Sequence, residues 1–288
     1  MDLVDSNCCD SFGRTDTIAA RCPKRGSRTM PSEEGSRCNR SVTIVALALP
    51  YDPKRQANVT WQAESNARLL PGMRMLQGVN GLNHTEVIGE LIASGLRFHD
   101  LSRAARKWGV LACLLTHYKA LMYQVQHRLP FMVTLEDDVR ARPAFQALIG
   151  AACTHLERWS EQNQRVPDLI QLSRFLEVKL TPLSGAERLL QLIHERGIRK
   201  SADQQFADTK TMGTRHDVVK HLRHLAWKQR PWTLVRLPNS ADGTIWKSRP
   251  MTWTEMALLR LLTNPAAGSL PNFGNPVLAP GTPRTWAK

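Results

Sequence analysis

The stretch Pro130-Phe131-Met132-Val133-Thr134-Leu135-Glu136-Asp137-Asp138-Val139 constrains this chain more than any other. Apolar and β-branched residues run directly into three adjacent carboxylates. Val133 to Leu135 read as a buried strand, being β-prone and set between a proline and an acidic cluster. Neighbouring carboxylates repel one another, and burying the strand that ends in them raises the cost unless a cation neutralises them. A divalent cation with oxygen ligands, Mn²⁺ or Mg²⁺, does so, and a diphosphate-bearing substrate brings the same ions. One reading is a metal and diphosphate site at a strand end. The other is a solvated acidic turn leading to the helix that Pro143 opens.

The flanking chain predicts an α/β fold. Val42 to Leu49 is a strand bounded by the turn signal Pro50-Tyr51-Asp52-Pro53. A helix pattern follows over Lys54 to Leu70, with Val59, Ala63, Ala67 and Leu70 on one face. Met73 to Leu76 is a second strand, and Gly78-Val79-Asn80-Gly81 turns after it. Strand, helix, strand predicts a βαβ unit with parallel strands. From Trp108 to about His127 runs a helix on which Gly109, Cys113 and His117 share a face. His117 either reaches the acidic stretch or is a satisfied core histidine. Further helices are expected over Phe145–Trp159, Gly185–Ile198 and Thr252–Leu262, with short strands at Asp168–Leu172 and Leu234–Leu237. Residues 1–40, polar and without hydrophobic period, read as a disordered leader. Residues 41–263 read as one domain and 264–288 as a Pro/Gly-rich tail.

Composition excludes little. A chain with 42% hydrophobic and 22% charged residues is an ordinary globular one. No run of about eighteen apolar residues suggests a membrane span. The acidic N-terminus shows no secretory signal, which leaves cytoplasm and secretory lumen both open. Six cysteines include no C-x-x-C pair, and Cys113 and Cys153 read as buried thiols. Sequons at Asn39, Asn58 and Asn83 matter only in a secretory compartment. The net charge of +14 falls mostly in the second half. Lys210 to Arg236 is strongly basic and holds Trp227 and Trp232, as a nucleic-acid surface does. Val218, Leu222 and Leu225 instead fit the buried stripe of a helix with a basic outer face. The second reading is favoured, so nucleic acid is not the expected partner.

Four landmarks, in this order, resemble glycosyltransferase family 25, the lipopolysaccharide-type and procollagen-type galactosyltransferases. They are the strand and Asp-Pro-Lys-Arg stretch of Val42 to Arg55, and the Val-x-Gly turn of Leu76 to Gly81. The helix motif Gly109, Cys113, His117 and the acidic Leu135 to Val139 complete the set. Thr116 stands where the family often has serine. The resemblance covers roughly residues 41–175 and is faint beyond, at Asp168 to Leu172 and Asp242. It implies a glycosyltransferase A type fold, a mostly parallel twisted sheet flanked by helices. It also implies a metal-dependent hexosyltransferase, with galactose the first expectation, acting from a UDP-sugar on a hydroxyl of a glycan or protein. Glu136 and Asp138 take the metal and ribose role, Asp138 as first choice for direct ligand and Asp137 as a third candidate. Arg55, Gly81, His117 and Glu136 are donor-binding candidates. Asp242 and Asp168 are candidates for the catalytic base, which must reach the acceptor hydroxyl. Two alternatives stand beside this: a basic nucleic-acid-binding protein, and a folded relative that turns nothing over.

Overall fold

The computed structural model describes residues 37–49, 52–65, 67–99, 106–173, 177–207, 218–219, 234–236 and 248–264. Asp242, Trp227, Trp232 and nearly all of the basic Lys210 to Arg236 segment lie outside these residues. So do residues 1–36 and 265–288.

β1 (Val42–Ala48), α2 (Pro53–Ser65) and β2 (Arg74–Gln77) form the expected βαβ unit, with Val45 opposite Arg74 in parallel pairing. β3 (Phe131–Glu136) lies on the other side of β1, also parallel, with Leu47 opposite Glu136. β5 (Leu169–Gln171), β6 (Val178–Pro182) and β7 (Val218–Val219) complete a sheet of order β2-β1-β3-β6-β5-β7. Only β6 runs against its neighbours, so this is a mixed α/β fold with a mostly parallel sheet, as expected. β1 and β3 read as near-continuous apolar runs, broken by Thr43 and Thr134, because helices cover both faces of a parallel sheet. β4 (Val139–Ala141) and β8 (Leu234–Arg236) pair separately as a small antiparallel ribbon.

On one face α4 (Trp108–Gln126) packs with α3 (His84–Ser94), α6 (Leu183–Arg196), α7 (Ala202–Ala207) and α8 (Trp253–Thr263). Leu91, Trp108, Leu114, Leu189, Phe206 and Met256 form the centre of that core. On the other face α5 (Phe145–Asn163) covers Val133, Leu135 and Leu180.

Besides β4 and β6, where no strand was expected, and Val218, which lies in β7 rather than in the expected helix, three further features differ from the sequence reading. α3 lies where no element was expected, although its punctuation is present. Asn83 accepts from the Glu86 amide at the helix start, and Gly95 ends the helix at φ 65°. Secondly, α1 (Arg37–Ser41) is helical where the end of the leader was expected, and Cys38 on it is fully buried. Thirdly, Cys153 is not a thiol: it forms a disulfide with Cys38, their Cα atoms 5.4 Å apart. Cys113 remains the free cysteine among the described residues. Of the sequons, Asn58 is buried in α2 and donates to the Asp137 carbonyl at 2.9 Å, so the fold leaves no room for a glycan there.

Candidate functional site

From β1 the chain goes to β2 on one side and then returns, through α3 and α4, to β3 on the other. The boundary between β1 and β3 is therefore where strand order reverses. In open α/β sheets a crevice opens outside the carboxyl ends of the strands at such a point, and ligands bind there. Here an open depression occupies it, lined by Leu49, Arg55, Val79, His117, Glu136 and Asp137, among others.

One wall is built by the Asp52 to Arg55 stretch. Asp52 Oδ1 accepts from the backbone N–H groups of Lys54 and Arg55, which makes it the cap of α2, and Pro53 fills the first helical position. That start aims Arg55 at the acidic turn. Its Nη1 donates to Asp137 Oδ1 at 2.7 Å, and its Nη2 lies 3.9 Å from Asp138 Oδ2. Asp137 Oδ2 accepts from the Leu49 amide at 2.7 Å. One Asp137 oxygen thus holds the turn to the residue after β1 and the other holds it to α2, so Asp137 ties the turn into the fold. Burial pushes its pKa up to about 6, against the Arg55 guanidinium and the Leu49 amide, which pull it down. Burial also works to lower the Arg55 pKa, and the Asp137 and Asp138 carboxylates more than offset it. The repulsion expected among the three carboxylates is therefore relieved in part by an internal guanidinium.

The other wall is α4. His117, 1% exposed, places Nε2 3.0 Å from Glu136 Oε1. Its Nδ1 lies 2.6 Å from the Nζ of Lys179, itself 1% exposed and the second residue of β6. Both readings of His117 thus hold at once: it is buried, and it touches the acidic stretch. Lys179 escaped the sequence reading, because Val178-Lys179-Leu180-Thr181-Pro182, with a lysine in second place and a terminal proline, looks like loop. In the sheet Lys179 sits opposite Thr134 on β3 and Gln171 on β5, so three buried polar side chains cross the sheet in one row. Opposed residues share a face, and here it is the face under α4.

Burial lowers the Lys179 pKa to about 8, with Glu136 foremost among the groups that oppose the drop. Burial, then Lys179, holds His117 well below the ordinary histidine range. An unfolded lysine keeps its proton to an ordinary value of 10.5, whereas the folded one releases it near 8. Between those values the unfolded chain binds more protons, so this group adds stability as pH rises through the window. Below about 8 the buried ammonium is a constant cost. Relative to Lys179→Met, wild type is expected to gain up to roughly 3 kcal/mol across that window. Urea denaturation of both proteins at pH 7.5 and pH 10 checks this, and a stability gap independent of pH would contradict it.

The remaining candidates fall out as follows. Gly81 is a packing glycine: a Cβ there would lie 2.6 Å from Gly109 Cα, so it lets the turn after β2 close onto α4. The Thr116 hydroxyl accepts from the Val79 amide and donates to the Ala112 carbonyl, a task either hydroxyl residue performs. Asp168 is not brought to the site. Extending the register puts it level with Pro182 and Phe131, five residues before Glu136 along the sheet, or roughly 16 Å. Its carboxylate pairs with Arg188 at 2.9 Å. Asp242 lies outside the described residues.

For a divalent cation, the oxygen donor at the pocket edge is Glu136, at the end of β3; Asp138, two residues on, is 3% exposed and is not among the pocket-lining residues. One or two carboxylates plus substrate phosphates is the set Mg²⁺ takes, so the turn fits an ion that arrives with a diphosphate. A second grouping mixes sulfur, nitrogen and oxygen: Cys113, His117 and Glu136 bring ligand atoms within 4.8 Å of one another. A metal there would need a thiolate and an unprotonated Nε2. Burial, then Glu136, raises the Cys113 thiol well above its ordinary range, and Lys179 occupies the far side of the imidazole. No metal is assigned to that grouping.

No protein-family model matches the sequence, and no curated protein matches it. Among solved structures, a glycosyltransferase involved in the glycosylation of the major capsid of PBCV-1 is similar at a TM-score of 0.33 and 10% identity. The match covers 77% of this chain and 98% of that one. So slight a likeness carries no argument about this chain, and the resemblance to family 25 rests on the four sequence landmarks.

Proposed function

We propose that this protein is a glycosyltransferase that moves a hexose from a UDP-sugar to a hydroxyl acceptor on a glycan or protein. The observation that carries the reading is the coincidence of the acidic turn with the pocket at the strand-order reversal, the place where an α/β sheet takes a nucleotide. Glu136 and Asp138 would hold Mn²⁺ or Mg²⁺ together with the donor. When bound, that ion stabilises charge on the leaving diphosphate. Asp137 keeps the turn in place by its bonds to Leu49 and Arg55. Arg55, charged and at the pocket wall, is the residue offered to the nucleotide's anionic part. Leu47, Leu49 and Val79 give the pocket an apolar side that excludes water. Asp242 stays the candidate for the base that takes the acceptor's proton, and galactose is the first sugar to test. The Cys38–Cys153 disulfide supports an oxidising compartment as the place where the chain folds.

The test is titration calorimetry with UDP, with and without Mn²⁺, followed by hydrolysis of UDP-galactose and UDP-glucose. Metal-dependent UDP binding with turnover of one donor, abolished in Glu136→Ala, is expected. Binding without turnover of any donor or acceptor would indicate the inactive relative. Absence of binding would remove the donor site altogether.

A further inference from the structure

We propose that Lys179 is a positioning residue of this pocket: its ammonium fixes the tautomer of His117, and His117 fixes the carboxylate of Glu136. The proposal rests on the reading of the pocket as a donor site. Lys179 lies on β6, two strands from β1, where no landmark in the sequence pointed. An ammonium has three donors and no acceptor, so at 2.6 Å His117 Nδ1 must accept. A neutral imidazole carries a single ring proton, which then resides on Nε2 and is donated to Glu136 Oε1 at 3.0 Å. The result is one directed chain from the buried row of the sheet to the edge of the pocket.

Packing alone does not call for a lysine here. A methionine fills similar space under α4 without bringing a charge out of water, a cost of several kcal/mol per ion. Glu136, by contrast, gains a fixed partner from the chain. Its side chain is 24% exposed at the pocket edge, and a glutamate so placed samples several rotamers unless a partner selects one. The imidazole, locked by Lys179, selects one. Groups that orient a ligand in this indirect way commonly alter affinity by about tenfold or more when removed.

The experiment is nitrogen-15 imidazole NMR of the full chain at pH 7, with His117→Gln to assign the signal. Wild type is expected to show neutral His117 with its proton on Nε2. In Lys179→Met that preference should be lost, the Glu136 carboxyl carbon resonance should move, and UDP affinity in Mn²⁺ should fall about tenfold. Lys179→Gln, which retains an N–H donor without the charge, should restore the tautomer and most of the affinity. A proton on Nδ1 in wild type overturns the proposal, and that result needs no variant to fold. An unchanged tautomer in Lys179→Met overturns it as well, as does a changed tautomer with unchanged UDP affinity. If wild type binds no UDP, the donor reading fails on its own, and the tautomer and carboxyl signals still decide whether Lys179 orders His117 and Glu136.

Discussion

Replacing both Cys38 and Cys153 with alanine is expected to lower the melting temperature by roughly 10–20 °C. The two cysteines are 115 residues apart in sequence, so their bond closes a loop through most of the β1 to α5 region. In the chain-entropy account a loop of that length restricts the unfolded ensemble by about 5 kcal/mol. A domain of this size moves by about 2–4 °C per kcal/mol. Both cysteines are fully buried, and alanine avoids adding the desolvation cost that a serine hydroxyl would bring. Calorimetry of the oxidised wild type against the double variant reads the effect. A shift below about 3 °C would mean that the link contributes little to holding α1 on α5.

Asp137→Ala is expected to cost about 3–5 kcal/mol, the loss seen when one member of a buried ion pair is removed. The Arg55 guanidinium would lose its 2.7 Å partner, and the Leu49 amide would lose its acceptor at the end of β1. Glu136→Ala, one residue away, should cost less, about 1–2 kcal/mol, because Glu136 is partly solvated at the pocket edge where Asp137 is buried. Urea denaturation of the two variants gives the comparison directly. Equal losses would contradict the assignment of Asp137 to the fold and Glu136 to the pocket.

That division was only half legible in the sequence. The strand running into carboxylates, the βαβ unit before it and the shared face of Gly109, Cys113 and His117 all follow from local spacing, and each was readable. What local spacing does not carry is the partner. Arg55 reaches Asp137 across 82 residues, and Lys179 reaches His117 across 62. Only the assembled sheet brings them together. β6 was hidden because a buried lysine breaks the apolar run that marks a central strand. Its antiparallel course also decides which end of β5 faces the pocket, and so removes Asp168 from the site. The disulfide was hidden for the same reason, since cysteine spacing does not determine connectivity. α3 is different: its Asn83 cap, Glu86 and Gly95 were present, and Val87, Ile88, Leu91 and Ile92 hold helical spacing, so this helix was legible locally although no element was expected there.

The most direct test of the donor site is the melting temperature of the full chain with Mn²⁺ and UDP, separately and together, in wild type and Asp138→Ala. A ligand at a hundred times its dissociation constant adds about 2.7 kcal/mol, which corresponds to roughly 5–10 °C for a protein of this size. The account predicts a wild-type shift that needs both ligands and is absent from a folded Asp138→Ala. No shift in wild type, or an equal shift in Asp138→Ala, would contradict it and leave the acidic turn as a structural joint between β3 and β4.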